Sequence, residues 1–149
     1  MPTHYQGSPV AKRALDVYIK LDRAAGAVSS RINAHLADYS LTVSQFGVLE
    51  ALYHLGHLRQ KDLAQKILKS TGNITLVIDN LVKRNLVTRK RDKRDRRAIY
   101  IHLTEAGKAL IDNIFPKHVA IVEAEMNVLS PAEQDELARL CRKLGLQQA

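Results

Sequence analysis

Apolar residues recur along this chain with two different periods, and the change of period outlines the architecture. From Pro9 onward, Val10, Ala14, Val17, Leu21, Ala25, Val28, Ile32, Leu36 and Tyr39 follow steps of three and four. That spacing predicts one amphipathic helix over 9–39. A helix so long outruns what the rest of a small chain can cover, so its apolar side predicts a second subunit. The next helix opens on a capping box, Thr42 with Gln45, while Leu41 and Phe46 stand at the positions of a hydrophobic staple. Its expected core face is Phe46, Leu49, Leu52, Tyr53 and Leu55, and Gly56 is placed to stop it. RQKDLAQKILKS then sets Leu63, Ala64, Ile67 and Leu68 at helical spacing in a short helix. A third segment has Ser70 as N-cap and Asn73 in its first turn, with Ile74, Ile78 and Leu81 turned to the core.

Near Leu86 the period falls to two. LVTRKR alternates apolar or β-branched residues with cations, and AIYIHL sets Ile99, Ile101 and Leu103 against Ala98, Tyr100 and His102. Two strands therefore flank a charged loop at 92–97, a β-hairpin. Thr104 caps a further helix through Leu110, Ile111, Ile114, Val119, Val122 and Met126, in which Pro116 lacks a backbone donor and is expected to impose a kink. Ser130, Pro131 and Glu133 form a second capping box, followed by a stripe of Leu137, Leu140, Cys141 and Leu144 and a stop at Gly145. Residues 1–8 are polar and are expected to fray or to pack on a partner.

Charge changes this picture from a fold to a function. Residues 83–97, KRNLVTRKRDKRDRR, hold nine of the 23 Lys and Arg against only Asp92 and Asp95, so +7 of the chain's +8 sits there. A nearly neutral body with one cationic tip calls for a polyanion, and a phosphate backbone is the usual one. Two short helices running into a basic hairpin make a winged helix-turn-helix. The fold class is thus mainly α with a small β-hairpin wing. The second helix would present Ser70, Thr71, Asn73, Thr75 and Leu76 to a major groove, since such side chains meet base edges and thymine methyls. Arg94, Asp95, Arg96 and Arg97 would lie over the minor groove, and Lys83, Arg84, Arg89, Lys90 and Arg91 would hold phosphates.

Residues 92–110, DKRDRRAIYIHLTEAGKAL, resemble the signature of the MarR family of bacterial winged helix-turn-helix regulators, D-x-x-D-R-R followed by a strand and L-T-x-x-G. DLAQKILKSTGNITLVIDNLVKRNLV, residues 62–87, is similar to the family's helix pair. The resemblance implies a single MarR-like domain over 1–149. In it, 9–39 and 105–146 form the dimerisation helices and 42–104 the DNA-binding lobe. It also implies a homodimer on a pseudo-palindromic operator, usually a repressor released by a small aromatic compound or by oxidation. By the same resemblance Asp95 orients the wing and an arginine enters the minor groove, Arg97 first and Arg96 second. An Asp two residues before an Arg can also hold the guanidinium by a charge-assisted hydrogen bond. The other reading of that pair is a wing-stabilising ion pair, worth little at an exposed site.

The family's ligands lodge near the end of the first helix and the start of the second, which here implies His35, Tyr39, Val43, Phe46 and Gly47 as a pocket for a phenol, quinone or aromatic carboxylate. The segment HLTEAGKALIDNIFPKH resembles members that respond to phenolic or quinone stress. Peroxide-sensing members use a cysteine near the N-terminus, whereas the one cysteine here is Cys141, among leucines and read as a buried thiol. A redox-responsive regulator using Cys141 remains an alternative, as does a non-specific architectural DNA binder. Six scattered histidines form no metal-ligand pattern. With no phosphate loop, nucleophile elbow or paired-carboxylate motif, neither an enzyme nor a cofactor is expected. A double-stranded RNA reader is disfavoured because no aromatic base-stacking platform is apparent. Without a long apolar run or a signal peptide, the expected location is the cytoplasm.

Overall fold

The computed structural model describes residues 2–67 and 71–147, and the side chains of Thr71 and Gly72 lie outside the description. The chain runs α1 (Pro9–Asn33), a 3-10 turn (Ala34–Tyr39), α2 (Val43–Leu55), β1 (Leu58–Arg59), α3 (Gln60–Lys66), α4 (Thr71–Lys83), β2 (Val87–Arg91), β3 (Ile99–Leu103), α5 (Glu105–Met126) and α6 (Pro131–Gly145). It divides into two compact units, residues 35–119 and residues 1–34 with 120–149.

The central unit, 35–119, is built on a closed apolar core. Leu36, Val48, Leu49, Leu63, Ile74, Ile78, Leu81, Val87, Ile101, Ile111 and Ile114 are all fully buried. The capping box at Thr42 forms as its spacing predicts: Thr42 Oγ1 accepts from the Gln45 amide at 3.1 Å, and the Gln45 side chain accepts from the Thr42 amide at 3.0 Å. Leu41 and Phe46 are buried beside it, and Gly56 ends α2 at a positive φ of 78°. The core face of α2 differs from expectation at its end, because Tyr53 and Leu55 are exposed while Val48 is buried. Each step of three, from Leu49 to Leu52 to Leu55, falls about 60° short of a full turn, which carries Leu55 off the core face, and Tyr53 lies in the open last turn.

The first helix also stops earlier than its apolar period implies. α1 ends at Asn33 and gives way to the tighter turn over Ala34–Tyr39. Apolar spacing survives that change, since steps of three suit both helix types. Ser40, at φ 53°, then closes the turn, with its amide bonded to Ala37 O and the Leu41 amide to Leu36 O. The same pair of bonds ends α4: Asn85 at φ 59° donates to Val82 O, and Leu86 donates to Leu81 O. Both are Schellman endings, and each drops a leucine into the core one residue later.

The predicted hairpin is a three-stranded antiparallel sheet in the order β1-β3-β2. Val87, Arg89 and Arg91 pair with Leu103, Ile101 and Ile99, while β1 adds Leu58 opposite Ile101 and Arg59 opposite Tyr100. Thr104 begins α5 as expected, its hydroxyl accepting from the Gly107 amide at 2.9 Å and donating to Asn85 O at 2.7 Å. Close approach explains why a glycine follows Thr104 by three: a Cβ at Gly107 would collide with the Leu86 carbonyl oxygen. Pro116 sits inside a helix that continues through it to Met126.

The other unit is organised differently. Ser8 caps α1 by accepting from the Ala11 amide, and Arg31 pairs with Glu125. The lead is tied back where Thr3 N–H donates to Asp16 Oδ1 at 2.6 Å. Ser130 and Glu133 form the predicted capping box on α6. Gly145 is the last helical residue, and Leu146 takes the capping position. Within this unit Ile32 is the one buried apolar residue among those described, while Val10, Val17, Tyr18, Leu137, Leu140 and Leu144 are all exposed. Cys141, expected to be buried, is exposed on that stripe. Its leucine neighbours are the outward face of α6 rather than walls around the thiol.

Candidate nucleic-acid interface

α4 owes its position to the three buried residues on its inner face, and its outer face follows from them. Asn73, Thr75, Leu76 and Lys83 point outward, Leu76 with 62% of its surface exposed. Ser70 and Leu68 lie outside the described residues, as does the side chain of Thr71. α4 is locked to its neighbours by a polar chain. The Gln60 side-chain amide of α3 donates to Thr75 Oγ1 at 3.0 Å and accepts from Arg89 Nε at 3.3 Å. Arg89 continues to Thr75 O at 3.1 Å and to Asp79 at 2.5 Å. One arginine thus joins helix α3, helix α4 and strand β2.

Strand parity decides which cations take part in that chain. Arg89 is opposite the buried Ile101 and so shares the inner side of the sheet, whereas Lys90 takes the outer side opposite Tyr100. Arg84 is also engaged within the lobe, donating to Ser40 O at 2.8 Å and Tyr39 O at 3.1 Å. Arg91 donates to Arg96 O across the wing loop at 3.0 Å. Of the five predicted phosphate ligands, the structure leaves Lys83 and Lys90 exposed and gives Arg84, Arg89 and Arg91 intramolecular partners. Among these five the engaged side chains are the arginines, whose forked donors can hold two partners, and the exposed ones are the lysines; the alternation from Val87 also places Arg89 on the inner side.

The wing tip is folded by its two aspartates. Asp92 Oδ1 accepts the Arg94 amide at 2.8 Å, and Asp95 Oδ1 accepts the Arg97 amide at 3.0 Å. Backbone bonds from Asp92 N to Ala98 O and from Ala98 N to Asp95 O close the loop. Asp95 Oδ1 also lies 3.5 Å from Arg97 Nε, while the Arg97 side chain is 96% exposed. The guanidinium lies within ion-pair distance of Asp95 and projects from the surface. Arg94 and Arg96 are exposed beside it.

A second cluster lies at the 3-10 turn, α2 and α5. His35 Nε2 is 3.0 Å from His118 Nδ1, and the rings of Tyr39, Phe46 and His118 stand 6.5, 6.5 and 5.3 Å from His35. Phe115 joins them 6.2 Å from His118, and Lys117 Nζ donates to the Tyr39 hydroxyl at 3.0 Å. Burial, then the neighbouring His118, lowers the His35 pKa from 6.5, and Asp38 opposes this. Of the predicted pocket, His35, Tyr39 and Phe46 come together. Val43 and Gly47 instead line a concavity with Glu50, His54 and Lys66. His118 and Phe115 complete the cluster from about 80 residues away, a separation over which apolar spacing carries no signal. Among the described residues no group of three or more His, Cys, Asp or Glu is arranged to hold a metal ion, and no helix is long and apolar enough to cross a membrane.

A buried helix pair, an outward α4 and a cationic antiparallel wing define a winged helix-turn-helix protein. The family model described as transcriptional regulator SarA/Rot matches residues 31–114. The chain belongs to the MarR-type winged-helix transcriptional regulators. It is 34% identical over 137 residues to the HTH-type transcriptional regulator MhqR of Bacillus subtilis, covering 92% of this chain and 94% of that one. Among solved structures it resembles Bordetella bronchiseptica BpsR, whose DNA binding is regulated by 6-hydroxynicotinic acid, at 26% identity and a TM-score of 0.80 over 99% of this chain and 100% of that one. It shares the fold of Streptomyces coelicolor Sco3205, a MarR family regulator solved in complex with DNA, at 22% identity, with a TM-score of 0.84 over 98% of this chain and 94% of that one. These relatives are regulators of transcription, and the chain is a transcription factor rather than an enzyme.

Proposed function

We propose that the protein is a sequence-specific repressor that binds a pseudo-palindromic operator as a homodimer and is released by a small aromatic effector. The observation that carries the DNA reading is the pairing of an outward polar α4 face with a wing whose Arg97 is pre-aimed by Asp95. Asn73, Thr75 and Leu76, together with Ser70 and Thr71, read the major groove. Arg97 enters the minor groove, with Arg94 and Arg96 on its flanks and Lys83 and Lys90 on phosphates. Arg84, Arg89 and Arg91 act mainly by holding α4 and the wing in place, committing to the lobe the donors that a phosphate would otherwise take.

The dimer rests on the exposed stripes of α1 and α6, which a second copy would cover. In this reading 9–39 and 105–146 serve dimerisation, and 42–104 serves DNA. The effector reading rests on His35, Tyr39, Phe46 and His118, which pair apolar rings with hydrogen-bonding nitrogens and suit a hydroxylated aromatic acid such as the one in BpsR's regulation.

The test is the affinity of the purified protein for the duplex upstream of its own gene, against a scrambled duplex at one salt concentration. A preference of roughly a thousandfold marks a specific regulator, and equal binding points either to an operator elsewhere or to an architectural role. Arg97→Ala should lose about 1–3 kcal/mol of operator affinity with an unchanged melting temperature. Undiminished binding by that variant would remove Arg97 from the interface.

A further inference from the structure

Between the start of α3, helix α4 and the base of the wing lies a concavity of about 280 Å³, lined by the cations Arg59, Lys61 and Arg97, by Gln60 and Asp95, and by the apolar Ile74, Ala98 and Ile99. We propose that this cup takes one sugar–phosphate of the DNA backbone, held by Arg59 and Lys61, neither of which belongs to the wing tip or the recognition helix. The proposal rests on the DNA-binding reading and adds a third point of attachment to it.

The chemistry of the lining favours that occupant. Three cations face one carboxylate, and Asp95 is already engaged by the Arg97 amide at 3.0 Å and the Arg97 guanidinium at 3.5 Å. The cup therefore keeps cationic charge that nothing within it neutralises. The half-buried Ala98 and Ile99 in the lining offer nothing to a bare hydrated anion and give a deoxyribose an apolar surface to pack against. Ligand pockets usually run from roughly 300 to 1,000 Å³, so this one suits a single backbone unit rather than a larger effector.

Arg59 is also prepared for the role. β1 exists only as Leu58 and Arg59, and its pairing with β3 sets Arg59 opposite Tyr100. Arg59 Nε donates to the Tyr100 hydroxyl at 3.3 Å, and its guanidinium carbon stands 5.8 Å from the ring centroid. That arrangement uses Nε and leaves both terminal amino groups for an anion. Gln60, next in sequence, is bonded to Thr75 of α4. A phosphate seated at Arg59 would consequently fix the register of the recognition helix in its groove.

The test measures binding of the full-length protein to the upstream and scrambled duplexes by fluorescence anisotropy, across a series of salt concentrations. Arg59→Gln and Lys61→Gln should each weaken both duplexes by one common factor and lower the log–log salt slope by about 0.9 per lost phosphate contact. Melting temperatures are measured alongside, and Lys61→Gln, which leaves the Arg59–Tyr100 pair intact, guards against a folding artefact. In a nitrogen-15 NMR titration the Arg59 Nε–H resonance should move with duplex and stay unmoved in millimolar inorganic phosphate. An equal response to inorganic phosphate would overturn the assignment to DNA backbone in favour of a free-anion site. Unchanged affinity and slope in both variants, with Arg97→Ala still impaired, would overturn the cup and leave the DNA reading standing. Wild-type protein that binds no duplex would end both.

Discussion

The central unit and the terminal unit of this chain are both helical and both carry regular apolar spacing, yet they use it in opposite ways. In residues 35–119 the apolar positions meet one another: Leu49, Ile74, Ile101 and Ile111 come from α2, α4, β3 and α5 and are all completely buried. In α1 and α6 the same kind of periodicity leaves Val10 at 72%, Val17 at 56%, Leu140 at 46% and Leu144 at 48% exposure. Each fully buried leucine or valine contributes about 1.5–3 kcal/mol relative to leaving it exposed, so the first unit is a finished core and the second leaves an apolar face open. An amphipathic period says that a face is to be covered; it does not say by which chain.

The sharpest way to break this contrast is to damage the finished core. Gly107→Ala would drive a Cβ into the Leu86 carbonyl, which cannot retreat without dragging the start of β2. It should cost about 3 kcal/mol or more in denaturant unfolding, independent of protein concentration. A variant as stable as the wild type would mean that helix α5 and Leu86 can part at little cost.

Next in size is a charge on the unfinished face. Leu140→Glu should leave the lobe folded by circular dichroism yet weaken self-association by about 2 kcal/mol per buried leucine, seen as a shift toward monomer in sedimentation at micromolar concentration. The wild-type melting temperature should rise with concentration and that of the variant should not. A wild type that sediments as a monomer would refute a second copy as the cover. The Cys141 thiol gives an independent reading, since it should react slowly with a thiol reagent in the dimer and quickly in Leu140→Glu.

The smallest effect lies in the aromatic cluster. The pKa of His35 is lowered first by burial and then by His118, so the unfolded chain binds more protons there than the native one. Stability should therefore increase with pH, falling away as pH drops below 6.5 and levelling off below the depressed native value. His102, lowered by burial and then by His57 and Lys90, acts in the same direction. Thermal melts from about pH 7.5 to about pH 5.5 should show a shallower decline in His35→Phe than in wild type, and parallel curves would exclude His35 as a contributor.

The same contrast separates what is legible in the amino-acid sequence from what is not. The capping boxes at Thr42 and Ser130, the stop at Gly56 and the inner face of α4 can be read directly because each signal is complete within a few residues. β1 cannot, because two residues show no alternation and their partners, Ile101 and Tyr100, lie about forty positions on. The early end of α1 is masked because apolar spacing persists through the 3-10 turn. The wing's charge is obvious while its allocation is not. The engaged Arg84 and Arg89 are arginines beside the exposed Lys83 and Lys90, but Arg94, Arg96 and Arg97 are arginines too and stay exposed, so only three-dimensional pairing with Tyr39, Ser40, Thr75 and Asp79 identifies the two that are tied down. Cys141 departs from its expected burial for the reason that governs its whole face: leucines adjacent along a helix stripe surround a thiol only when a second surface closes over them.

Arg84 sits one residue past the end of α4, and its two grips on Tyr39 O and Ser40 O reach the turn that also carries His35. In mechanical terms it is a rivet between the end of α4 and the turn before α2. If the proposed effector seats at the rings and displaces the Tyr39 carbonyl, it would have to tear the rivet or carry the end of α4 along, which would turn occupancy into angle without any intervening spring.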